Sequence, residues 1–108
     1  MKHKDKKYLI QGDILLVKID SIPAAAEKLA SKNRIMLAEG ESAGARHEVI
    51  NDKVQASAYQ LAEGLYLDVE TETDLVHPEH ERIALAPGTY KVIRQVEYSR
   101  KEIRRVMD

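Results

Sequence analysis

Leu75-Val76-His77-Pro78-Glu79-His80-Glu81-Arg82 holds two of the chain's four histidines, three residues apart across a proline. A third, His47, follows a small-residue turn upstream. Imidazole titrates near neutrality and is a common metal ligand. Three histidines with an open fourth position make a zinc-type or other transition-metal arrangement. His47, His77 and His80 are therefore the candidate ligands of a divalent metal, with Glu48, Glu79 or Glu81 as a further ligand or base. Without a metal, the same rings suit a hydrolase or nuclease. His47 and His80 would be base and acid, Arg46 and Arg94 would hold the anionic group, and Tyr90 or Tyr98 would orient it. The plainer alternative is a non-enzymatic β module in which His47 caps a turn and His77 and His80 pin the Pro78 loop. No nucleophile motif, phosphate loop or coherent acidic pair argues for another enzyme class.

Arg94 is the only charge on the strand face of Tyr90, Val92, Val96 and Tyr98. If that face is buried, Arg94 needs a carboxylate such as Glu39, Glu41 or Asp13, because an unpaired buried charge is very costly. Otherwise it is an anion clamp. His3 lies in a basic N-terminal arm, residues 1–7, where no role is expected.

The elements that must position these residues read mostly as strands. Tyr8–Ile19 is one strand broken at Gly12, or two. Pro23 followed by Ala24–Ala30 predicts one short helix, since Pro suits a first turn and Ala has high helix propensity. Arg34–Ala38, Arg46–Asn51 and Val54–Leu61 are further strands, separated by turn-forming stretches. From Leu65 to Asp74 the chain alternates strictly. Leu65, Leu67, Val69, Thr71 and Thr73 would share one face, and Tyr66, Asp68, Glu70, Glu72 and Asp74 the other. The adjacent Leu75-Val76 breaks the pattern and predicts a bulge or strand end. Ala86-Pro87-Gly88-Thr89 is a turn, because Pro presets φ and Gly accepts positive φ. It leads into a last alternating strand, Thr89–Ser99. Many short strands with regular turns predict an all-β barrel or sandwich with one short inserted helix, as a single domain over residues 8–108.

Composition sets the outer bounds. The chain has 108 residues and no Cys, Trp or Phe, so Leu, Ile, Val, Ala and five Tyr must build a modest core. Absence of cysteine excludes disulfides and thiolate metal sites. No apolar run approaches the roughly 20 residues that span a bilayer, and no long apolar stretch follows the basic start. These features lead us to expect a cytoplasmic protein without membrane contact. A net charge of −1 conceals a block pattern: +4 over residues 1–34, −9 over 35–81 and +4 over 82–108. Basic ends flanking an acidic middle suggest a homo-oligomer, or contact with a polyanion such as nucleic acid.

Several segments carry a resemblance. They are Gln11-Gly12-Asp13-Ile14-Leu15-Leu16-Val17, Leu37-Ala38-Glu39-Gly40-Glu41 with Gly44 and His47, and Leu75-Val76-His77-Pro78-Glu79-His80. Leu85–Val92 and Arg94-Gln95-Val96-Glu97-Tyr98 extend it. Over nearly its whole length the chain resembles a group of small, uncharacterised bacterial and phage-type proteins. Members often carry Gly-His-x-His, where this chain has Gly44-Ala45-Arg46-His47. Gly12-Asp13 before an apolar strand is also similar to co-chaperonin barrels and self-cleaving repressor peptidases, but no Ser/Lys dyad context accompanies it. The resemblance implies no assigned activity. The sequence reading is thus a small binding or assembly module with a candidate histidine metal cluster.

Overall fold

Short runs of branched apolar residues at period two, interrupted every few residues by turn formers, give strands that bury one face each. The computed structural model describes residues 8–39, 45–62 and 64–94. Its ten strands are β1 (Tyr8–Gln11), β2 (Ile14–Ile19), β3 (Glu27–Lys28), β4 (Arg34–Glu39) and β5 (Arg46–Ile50), followed by β6 (Ala56–Leu61), β7 (Gly64–Val69), β8 (Thr73–His77), β9 (His80–Leu85) and β10 (Gly88–Arg94). They form a six-stranded sheet, β1-β2-β10-β7-β6-β3, and a four-stranded sheet, β4-β5-β8-β9. Two antiparallel sheets face each other as a sandwich.

Hairpins alternate between the sheets: β1–β2, β6–β7 and β10 lie in the larger, β4–β5 and β8–β9 in the smaller. The interior is lined by Ile14 and Leu16 of β2, Val49 of β5, Leu67 and Val69 of β7, Leu75 of β8 and Leu85 of β9. Each such side chain contributes about 1.5–3 kcal/mol on burial.

Three expectations change. The segment after Pro23 is not a helix. Ala26 N donates to Pro23 O at 3.0 Å, closing a turn, and Leu29 N donates to Ala58 O at 2.8 Å. Seven residues without an apolar stripe cannot offset the cost of helix nucleation, so the segment adds the edge strand β3 instead. Second, the alternation from Leu65 to Asp74 does not make one strand. The backbone N–H groups of Glu70 and Thr71 both turn to Gln55 O. The chain then crosses to the other sheet, where Thr73 is buried and its hydroxyl donates to Ile50 O. Third, His80–Leu85 is a strand that sequence patterning did not mark, because polar residues occupy its first three positions. The bulge near Val76 is present, as a register shift between Leu75 and His77. β10 is described only to Arg94, so the expected continuation to Ser99 lies outside the described residues.

The two outer faces differ. The four-stranded sheet shows Arg34, Arg46, Glu48 and Arg82 outward, with Met36 among them. The six-stranded sheet shows Tyr8, Ile10, Leu15, Val17, Ile93 and Tyr66 on the face opposite its buried residues. No helix among the described residues is long and apolar enough to cross a membrane.

Candidate functional site

Three turns and strand ends meet at one end of the sandwich. The β1–β2 hairpin turns at Gly12-Asp13, with Gly12 at φ +58°. β5 begins beside it and supplies His47. The β8–β9 hairpin closes through the two-residue loop Pro78-Glu79, so His77 and His80 are direct cross-strand partners. The end of β10 adds Arg94.

Gln11 ties these parts together. It is buried, and its amide nitrogen donates to Leu75 O at 3.0 Å and to Glu81 O at 2.9 Å. Two carbonyl acceptors fix which way the amide points, since a flip would set oxygen against oxygen. Gln11 Oε1 therefore faces His47 Nδ1, at 2.9 Å. An amide oxygen can only accept, so His47 Nδ1 carries a proton and donates. His47 Nε2 lies 3.0 Å from Asp13 Oδ1. The other carboxylate oxygen of Asp13 accepts from Arg94 Nε at 3.3 Å, and Arg94 Nη2 donates to Glu39 O at 2.7 Å.

The three histidine rings do converge. His47 and His77 centroids are 4.3 Å apart, His77 and His80 4.5 Å, and His47 and His80 5.9 Å with nearly parallel rings. His47 is buried, His77 half-buried and His80 exposed. Gly12 makes room for them: a Cβ there would lie 2.6 Å from His80 Nε2 and 3.1 Å from His47 Cε1. His77 Nδ1 accepts from Glu79 N at 3.0 Å, so in the neutral ring the proton sits on Nε2, and His77 offers a lone pair to a metal only by giving up that bond or shifting its tautomer.

Burial lowers the His47 pKa below 6.5. The neighbouring His77 and His80 add to this, and the pull of Asp13 does not reverse it. Burial pushes Asp13 up, yet hydrogen bonds from Arg94 and His47 outweigh it and hold the carboxyl below its ordinary value. The His47 shift disfavours a second proton on its ring at neutral pH. With Nδ1 committed as the donor, the neutral ring sets His47 Nε2 and Asp13 Oδ1 as two acceptors face to face, whereas a protonated ring closes an ion pair between them. Among the described residues, no group of three or more His, Cys, Asp or Glu side chains is arranged to hold a metal ion without side-chain movement.

The other expected site residues are distributed differently. Arg46 follows the strand alternation to the outer face, away from His47, and pairs with Glu39 at 3.6 Å. It borders, with His77, a cleft of about 260 Å³ that also takes in Arg34, Glu48 and Pro78. Glu48 pairs with Arg34 at 3.5 Å. Tyr90 is buried, its hydroxyl donates to Ala86 O at 2.7 Å, and burial raises its pKa. It lies four positions along β10 from Arg94, about 13 Å away in an extended strand, and does not face the cluster. Tyr98, Glu41 and His3 lie outside the described residues. Arg94 has the expected carboxylate partner, Asp13, but its side chain is 44% exposed, so it is not a core arginine.

Sequence reasoning did not place Gln11 in the site and considered Asp13 only as a partner for Arg94. Two signals were available. Gln11 shares the inward parity of Leu9 in its strand, an unusual place for an amide, and Gln11-Gly12-Asp13 stood within the recurring pattern.

No curated protein and no solved structure matches the chain. One family model does match, over residues 10–95, and it spans every group named in this cluster. The chain belongs to the family described as Domain of unknown function (DUF8820).

Proposed function

We propose that this protein is a small β module that binds a divalent transition metal of the zinc class through His47 Nε2 and Asp13, with His80 as a further ligand and His77 as another once its Nδ1 releases the Glu79 N–H. One observation carries the reading. The Gln11 amide fixes the His47 tautomer, leaving Nε2 and Asp13 Oδ1 as two acceptors 3.0 Å apart. Facing acceptors repel unless a proton or cation lies between them. Cis ligands with metal bonds of about 2.0–2.1 Å sit roughly 3.0–3.4 Å apart, so the pair is spaced for one ion. A histidine donating its second nitrogen to a carbonyl oxygen is the usual outer support of a metal ligand. The His77 ring centroid lies 4.3 Å from that of His47 and 4.5 Å from that of His80, so the three rings are close neighbours. The hydrolase or nuclease reading draws less support, because Arg46 points to the outer face and Tyr90 is buried elsewhere.

The test is cobalt(II) titration of chelator-stripped protein, followed by visible absorption and by thermal unfolding. Wild type should take up about one equivalent and gain about 2.7 kcal/mol of stability when free metal reaches about 100 times Kd. His47→Asn places an amide N–H near Nδ1 and deletes Nε2. It should keep the fold and lose the metal. Absence of binding to wild type, or full binding to His47→Asn, removes the reading.

A further inference from the structure

The outer face of the six-stranded sheet carries two adjacent rows rich in apolar side chains. Ile10, Leu15 and Ile93 form one cross-strand row over β1, β2 and β10. Tyr8, Val17, Lys91 and Tyr66 form the next, continuing onto β7. Tyr8 is 58% exposed, Ile10 55% and Ile93 36%. An antiparallel sheet with one solvated face ordinarily alternates apolar-in with polar-out, as the four-stranded sheet does here. A contiguous apolar patch on an outer surface marks an interaction site.

We propose that this face is the interface of a symmetric homodimer, in which two copies pack their six-stranded sheets face to face. Charge complementarity favours a second copy as the occupant. Lys28 on β3 lies at the far edge of this face, and two charges sit within the patch itself: Lys91 on β10 and Asp68 on β7, where Asp68 is opposite Thr89 in the ladder. Neither makes an ion pair among the described residues. A two-fold axis makes every contact reciprocal, so Lys91 of each copy can meet Asp68 of the other twice over. Extent fits as well. The six strands hold 4, 6, 7, 6, 6 and 2 residues in sheet order. At about 3.3 Å per residue and about 4.8 Å between strands they offer on the order of 500 Å² per copy. Both copies together then reach the roughly 1,000 Å² that a specific interface needs. Stacked sheets about 10 Å apart would bury the rows as a second core. The inference stands apart from the metal site, which lies at the sandwich end.

Sedimentation velocity on the full chain tests it, with the chelator-stripped form run in parallel. The expected result is a dimer in the micromolar range, with or without metal. Ile10→Lys combined with Ile93→Lys should give a monomer with unchanged circular dichroism. Asp68→Lys alone should weaken dimerisation by tenfold or more, and adding Lys91→Asp should restore most of it. The charge pair lies on the surface, so this swap reads the interface even if the double lysine variant does not fold. A wild-type monomer at several hundred micromolar overturns the proposal, including the case where another part of the same chain covers the face. So does a dimer indifferent to both sets of substitutions.

Discussion

At the scale of single residues, His47 is constrained from two sides and the outcome depends on pH. Gln11 holds the Nδ1 proton in place, while burial and the neighbouring histidines resist a second proton on Nε2. In the unfolded chain that second proton binds at about 6.5, the ordinary histidine value. The folded pKa is depressed, so the unfolded state binds more protons once pH falls below that value. Stability contributed by neutral His47 is therefore complete above 6.5 and declines as pH falls toward the lower folded value. Asp13 acts in the same direction at lower pH, because its folded pKa is also depressed. The metal-free protein should thus show a falling urea midpoint between pH 8 and pH 5, and His47→Asn should flatten the upper part of that fall. A midpoint that rises on acidification would mean that the Asp13 ion pair dominates burial. Residue type and spacing were enough to nominate His47, His77 and His80. They could not reveal Gln11, because its role depends on two carbonyls brought from 64 and 70 positions away.

At the scale of elements, the connections between sheets carry the specificity that strand alternation cannot. Period-two patterning located β2, β5 and β10 well, since each buries one face. It could not show that Leu65–Asp74 divides between two sheets, because the same parity holds on both sides of the crossing. The device that ends β5 and starts β6 is Asn51. Its amide nitrogen donates to Lys32 O at 2.9 Å, and its Oδ1 accepts from Ala56 N at 2.8 Å. Its own backbone N–H donates to Asn33 O at 2.8 Å. The side chain is 2% exposed, so water cannot replace these partners. Asn51→Ala strands a backbone acceptor and a backbone donor, each costing about 1–3 kcal/mol when buried and unpaired. A loss of roughly 2–4 kcal/mol in denaturant unfolding is expected. That would be a large part of the roughly 5–15 kcal/mol of a native domain. An Asn51→Ala protein as stable as wild type would show that the crossover is held by strand packing alone. Helix propensity misled at Ala24–Ala30 for a related reason: the local preference is weak, and edge pairing with β6 wins.

At the scale of the whole molecule, charge order along the chain is a poor guide to charge order on the surface. The acidic row expected from the sequence is dispersed by the fold. Asp68 lies on the outer face of the larger sheet, whereas Asp74 is in the smaller one and pairs with Arg82 at 3.6 Å. Eight of the fifteen Lys and Arg of the two basic ends lie outside the described residues, and of the others Arg34 and Arg82 pair with Glu48 and Asp74 of the acidic middle within the same chain. What the fold does assemble is the apolar face, from strands whose outward residues looked like ordinary alternation when read one at a time. The two bases for self-association respond oppositely to salt. Contact between exposed basic and acidic segments is screened, with a Debye length of about 10 Å at 0.1 M and about 3 Å at 1 M. Apolar burial is not screened, and sulfate strengthens it. Association should therefore survive 0.5 M sodium chloride, tighten in sodium sulfate, and weaken on cooling because burial of apolar surface carries a negative heat-capacity change. Unfolding coupled to dissociation should also shift with concentration, by about 1.4 kcal/mol per dimer for each tenfold change in protein. Isothermal dilution at several temperatures and salts reads the first three responses, and unfolding at several protein concentrations reads the fourth. A dimer that falls apart in sodium chloride and is indifferent to temperature would place its contact in the charged segments instead of on the β1-β2-β10-β7 face.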